Sequence, residues 1–169
     1  LVMKPVFSRA KQAPKRVVFA EGEDPRVLQA AQVIVDEKIA RPMLVARPAV
    51  INARLEKLGL RIRPDVDFDL INPEADGRHK EYWQIYFDIM QRRGISQEYA
   101  KRETRRRTSL IAALLVRQGE ADAMICGTFG QFQLHLSFIQ DVLGLEPGVH
   151  KPATMNMLLH PKGTFFVCD

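Results

Sequence analysis

Arg16-Val17-Val18-Phe19-Ala20, followed by Glu21-Gly22-Glu23-Asp24-Pro25, is the stretch that sets the fold class. The first five residues are a short, mostly apolar run rich in β-branched side chains, which reads as a buried strand. The next five read as its exit turn. Asp24 can accept a hydrogen bond from the free N–H groups that open a helix, and Pro25 suits the first turn, where its missing N–H costs nothing. Val27, Leu28, Ala31, Ile34 and Val35 then recur at helical spacing and share one face. A buried strand, a polar turn and an amphipathic helix together make the repeating unit of a parallel α/β sheet.

The pattern continues outward. Pro42 to Ala46 reads as a second strand, and Ala49 to Leu58 as a helix stopped by Gly59. Val66 to Ile71 alternates apolar and acidic residues, as a strand near a sheet edge would. Lys80 to Arg93 places Tyr82, Tyr86, Ile89 and Met90 on one helical face, and Ser96 can cap a further helix running through Arg107. Leu110 to Gln118 is apolar on nearly every side, so it predicts a buried helix. Asp122 to Cys126 reads as another buried strand, and Gly127 to Gly130 as a tight passage into a helix ending near Gly144. Ala153 to Leu159 and Thr164 to Val167 read as two final strands, with Phe165, Phe166 and Val167 expected in mid-sheet. The expected architecture is a three-layer α/β/α domain with a mainly parallel sheet over residues 15–169, preceded by a lead-in over 1–14. A chain that starts at Leu1 and stops just after a core strand reads as a piece of a longer protein.

With 169 residues, 46% hydrophobic and 27% charged, the chain can form one domain without cross-links. Its longest apolar run, Leu110 to Val116, falls well short of the roughly 20 residues of a membrane helix, so no membrane partner is expected. Two cysteines make no disulfide framework, which suits a reducing cytoplasm. The net charge of +5 is concentrated between Gln91 and Arg107; the remainder is neutral. This single basic segment, interleaved only by Tyr99, carries no nucleic-acid motif, so nucleic acid is an unfavoured partner. Its arginines suit a subunit contact, a solvated face or a small anion held by forked hydrogen bonds.

Ligands of parallel sheets bind beyond the carboxyl ends of the strands. Glu21 to Pro25 has one glycine, three carboxylates and a proline, the opposite of a phosphate cradle, so dinucleotide binding in the usual way is excluded here. Cys126-Gly127-Thr128-Phe129-Gly130 is the more permissive loop. Its glycines admit close backbone approach, and the following helix offers N–H groups to an anion. Cys126 has no histidine near it in sequence and reads as a small apolar filler. From Ala123 to Gln140 there is no charged side chain. The four histidines (His79, His135, His150, His160) lack metal-ligand spacing and read as scattered surface residues, so no metal is expected.

Val17 to Leu28, Arg92-Arg93-Gly94-Ile95-Ser96, and Val116 to Met124 occur in the order of motifs that the chain shares with the phosphate acetyl/butyryltransferase family, which it resembles over nearly its whole length. The resemblance covers only the first half of that family's domain. It implies that the family's histidine falls on Gly130, and that its phosphate-contacting arginine falls on Ser137. Serine cannot restore a charge-assisted pair made by a guanidinium. Asp122 to Thr128, with Met3 to Ser8, further resembles the C-terminal region of large bacterial NADP-dependent malic enzymes. This implies a domain without transferase activity that serves assembly and allosteric control. Acetyl-CoA or a related CoA ester would be the effector, and Arg92, Arg93, Arg105, Arg106, Gly127, Thr128 and Gly130 the candidate contacts. No catalytic residue and no cofactor is expected in this stretch. NADP and Mg or Mn would belong to the malic domain of the same chain, in a homo-oligomer. An active phosphate acetyltransferase and a basic partner- or nucleic-acid-binding module are the alternatives.

Overall fold

The computed structural model describes residues 3–74 and 76–168. Four strands, β1 (Lys15–Phe19), β2 (Ala40–Val45), β3 (Asp69–Ile71) and β4 (Ala123–Ile125), form one parallel sheet in the order β3-β2-β1-β4. Side chains alternate across it. Phe19 and Leu44 face α2 (Pro25–Glu37) and α3 (Pro48–Leu58), packing on Leu28, Ile51 and Leu55. Val18, Met43 and Val45 face the opposite layer, built from α4 (Asp76–Met90), α5 (Gln97–Arg106), α6 (Thr108–Arg117) and α7 (Phe132–Leu143). At its centre Leu110 to Leu115 of α6 are fully buried, as an all-apolar helix must be. Tyr82, Tyr86 and Met90 of α4 close that core, with Ile89 partly buried against it, on the helical face expected from their spacing. A helix, α1 (Met3–Gln12), occupies most of the lead-in.

Local chemistry places most boundaries. Asp24 Oδ1 accepts from Arg26 N at 2.8 Å and caps α2, with Pro25 in its first turn. Ser96 Oγ accepts from Tyr99 N and caps α5. Gly22 lets the turn after β1 lie against β2. Its N–H donates to Val45 O at 3.2 Å, and a Cβ there would sit 2.8 Å from both Leu44 Cβ and Val45 O.

Three expectations are corrected. The strand expected over 66–71 is only Asp69–Ile71. Asp67 accepts from Arg63 N and Asp65 from Leu70 N, so these carboxylates serve a turn rather than one face of a strand. The strand expected to be buried over 122–126 has Ala123 and Ile125 exposed, because β4 is an edge strand of the sheet among the described residues. The last two strands, β5 (Met155–His160) and β6 (Gly163–Cys168), do not join the parallel sheet. Their connection is too short for a crossover, so they pair antiparallel as a separate hairpin. Phe165, Phe166 and Val167 are accordingly exposed rather than in mid-sheet.

Candidate functional site

The carboxyl ends of β1, β2 and β4 open into a cleft that the exposed ring of Phe129 divides. A cavity of about 470 Å³ lies between the exits of the first three strands and the α5–α6 elbow. A smaller one, about 150 Å³, lies between that elbow and the β4–α7 loop. Glu21, Thr108 and Phe129 border both. A cavity of about 490 Å³ also exists at the opposite ends of the strands. There Arg16 is committed to Asp122 and to Gly119 O, and parallel sheets do not bind ligands at that end.

The acidic turn Glu21 to Pro25 is neutralised from within. Glu23 receives Nε and Nη2 of Arg47, each at 2.9 Å, and this hydrogen-bonded pair holds its carboxyl below the usual range. Arg54 donates to Glu23 O. Asp24 receives two guanidinium bonds from Arg26, which pull its carboxyl down to about 2. The turn is thus a self-paired structural element, in keeping with its reading as a capped turn.

Glu21 is the exception. Its side chain is 2% exposed and has no guanidinium partner among the described residues. Both carboxylate oxygens accept from Gly127 N at 3.1 Å. The N–H of Gly127, one of the two glycines expected to admit a ligand, is therefore already bound by a carboxylate of the same chain. Thr128 O accepts from Arg26 Nη2 at 2.9 Å, pinning the same loop to the start of α2. Cys126 is half-buried, and burial, together with Glu21, pushes its thiol up, away from a reactive thiolate.

His135 is the residue sequence reasoning missed. Far from lying loose on the surface, its imidazole enters the cleft beside Gly130. Its Nε2 meets Phe129 O at 2.8 Å, so Nε2 carries the proton and donates. Its Nδ1, buried and without a hydrogen bond, lies 3.9 Å from Glu21 Oε1. Gly130 has φ +94°, and a Cβ there would sit 2.8 Å from His135 Nε2. The ring therefore fills the space that a side chain at 130 would enter. The five-residue interval from Gly130 to His135 is the only trace of this in the sequence. His79 is also buried, with Nε2 3.1 Å from Lys101 O, so it too departs from the surface reading.

The remaining candidates divide. Arg105 borders the larger cavity and Arg106 the smaller, and neither has an ion pair or hydrogen bond among the described residues. Arg92 and Arg93 sit on a 3₁₀ turn (Gln91–Arg93) before α5, with Arg93 3.8 Å from Asp141. The length of α5, about 15 Å, separates them from the cleft. Ser137 Oγ donates back to Leu134 O at 2.8 Å and reaches nothing in the cleft. Among the described residues no three His, Cys, Asp or Glu side chains form a metal-holding group. No helix among them is long and apolar enough to cross a membrane.

The family model for phosphate acetyl/butaryl transferase matches residues 1–169. The chain belongs to that family. The backbone superposes on the EutD phosphotransacetylase from Staphylococcus aureus with a TM-score of 0.81, at 20% identity, over 97% of this chain and 49% of that one. This phosphotransacetylase-like fold is carried on a sequence with nearer relatives elsewhere. The chain is 51% identical over its whole length to the C-terminal part of the NADP-dependent malic enzyme of Escherichia coli strain K12, and 47% identical to the NAD-dependent malic enzyme of Rhizobium meliloti strain 1021. It spans 22% of the length of each of these curated relatives.

Proposed function

We propose that this domain is the non-catalytic regulatory and assembly unit of a cytoplasmic malic enzyme, and that its cleft senses acetyl-CoA or a related CoA ester. The observation that carries the reading is the β4–α7 loop. It brings no charged side chain to the cleft, and one of its backbone donors, Gly127 N, is bound by Glu21. A transferase cleft must stabilise a developing anion with free donors, and a loop closed by an internal carboxylate opposes that. Gly130 and Ser137, where the family resemblance places a histidine and an arginine, support the same reading. The high identity to malic enzymes supports the identity of the parent protein.

In this reading the parent protein oxidatively decarboxylates malate to pyruvate in its other domain. That domain would hold malate, NADP and Mg or Mn, and the homo-oligomer would couple the two domains. The present residues do not fit those groups, since they offer neither a glycine-rich cradle nor a metal cluster among the described residues. An effector acts only by binding two states of the protein unequally, so acetyl-CoA should alter malate oxidation without being consumed. Calorimetry and steady-state malate oxidation on the full-length protein test this. Saturable acetyl-CoA binding that lowers activity is expected. Robust formation of acetyl-CoA from acetyl phosphate and CoA would overturn it in favour of a working transferase.

A further inference from the structure

The β4–α7 loop is tied at consecutive residues by three different elements. Gly127 N donates to Glu21 in the turn after β1, Thr128 O accepts from Arg26 of α2, and Phe129 O accepts from His135 Nε2 of α7. The first two ties are complete. The third is not. The neutral His135 ring gives its one N–H to Phe129 O, which leaves Nδ1 with a bare lone pair. That atom is buried, has no hydrogen-bond partner and lies 3.9 Å from Glu21 Oε1. Two acceptors thus face each other inside the cleft, an arrangement that costs free energy until one of them takes a proton.

A proton from solvent on Nδ1 removes the conflict. The ring becomes an imidazolium with a donor on each nitrogen. Nε2 keeps Phe129 O, and Nδ1 gains the Glu21 carboxylate, which still holds Gly127 N. Turn, loop and α7 are then joined in one closed circuit by charge-assisted bonds. Among the described residues Glu21 is the only carboxylate lining this cavity. A further positive charge there is opposed by Arg106, Arg107 and the positive start of α6. Arg106 is exposed and screened by solvent, and Arg107 is engaged by Glu103 at 3.2 Å, so the buried carboxylate facing Nδ1 prevails. Cys126, at the end of β4, is kept a thiol by burial and by Glu21. At the start of α2, Asp24 and Arg26 pair with each other. Further along α7, Asp141 faces Arg93 and Tyr86 of α4.

We infer that His135 and Glu21 form a proton-operated latch on the β4–α7 loop. With the proton on Nδ1 the loop is clamped; without it the loop, and the Phe129 ring that divides the cleft, are released. Histidine exchanges its proton near neutral pH, so the latch works in that range. The direction follows from the proton count. The clamped form holds a proton that the released form lacks, so acid favours the clamp and alkali the release. The latch goes beyond the effector-sensing reading and does not depend on which ligand enters the cleft.

Hydrogen–deuterium exchange of the full-length protein at about pH 6 and about pH 8, read by mass spectrometry and corrected for the intrinsic pH dependence of exchange, tests it. Peptides over 126–136 should be about tenfold better protected at the lower pH, with α6 unchanged. His135→Gln keeps a donor for Phe129 O but cannot titrate, and Glu21→Gln keeps an acceptor for Gly127 N but loses the charge. Each should level the protection between the two pH values, while His150→Gln, at an exposed position, should behave as the parent protein. Equal protection of the loop at both pH values in the parent protein overturns the latch, whether or not the variants fold. A pH difference that survives in His135→Gln or Glu21→Gln with α6 still protected also overturns it. Slow exchange of the His135 ring C–H between the two nitrogens reports ring protonation in the parent protein without any substitution. It should titrate together with loop protection, and titration apart from it rejects the inference.

Discussion

The two walls of the cleft are built from similar residue types and end in opposite states. On the β1–β2 wall the arginines are all used. Arg47 holds Glu23, Arg26 holds Asp24 and Thr128 O, and Arg54 holds the Glu23 carbonyl. On the α5–α6 wall Arg105 and Arg106 have no ion pair or hydrogen bond among the described residues. The first wall is a rigid frame whose charges serve the fold. The second has capacity left over, and only leftover capacity can be offered to a ligand. Counting arginines would have ranked the two alike.

The contrast can be broken most directly at Gly22. A Cβ there meets the Leu44 Cβ and the Val45 carbonyl, both parts of β2 that cannot swing away. Gly22→Ala should therefore destabilise the protein by about 1–3 kcal/mol, read as a lower denaturant midpoint at unchanged slope. A neutral result would mean the frame is softer than its contacts imply. Asp24→Ala should cost less, about 1 kcal/mol at neutral pH, through loss of the α2 cap. The Arg26 hydrogen bonds hold the folded carboxyl at about 2, below the roughly 3.9 of an unfolded aspartate. Its ionic contribution is thus complete above about pH 4 and fades as pH falls toward 2, so the gap between the parent protein and Asp24→Ala should narrow over that window. Urea titrations at several pH values check the trend, and a gap that widens in acid contradicts it. The smallest effect is expected on the other wall. Arg105→Ala should leave the thermal midpoint unchanged, since nothing in the fold relies on that guanidinium. A fall of several degrees would show that the wall is not free after all.

The alternation of strands and helices was legible because it rests on local chemistry. Asp24-Pro25 and Ser96 announce helix starts, and the apolar run Leu110 to Leu115 announces a helix that must be buried. Boundaries failed where side chains did unexpected local work, as at Asp65 and Asp67. The hairpin was misplaced because an apolar run states that a strand wants neighbours, without saying which ones. Of the candidates read from the sequence, Arg105, Arg106 and Gly130 border the cleft, and Arg92 and Arg93 do not. The meeting of Glu21 with His135 was not legible, because it joins residues far apart in the chain and leaves no periodic trace.

The residues alone determined the parallel α/β class, the family likeness and the absence of a phosphate cradle after β1, since these follow from hydrophobic period, caps and backbone freedom. Tertiary structure decided which charges remain available. Commitment of a charge depends on what lies within about 3 Å of it, and in this fold that neighbour is often a hundred residues away, as Glu21 is from Gly127 and Arg26 from Thr128.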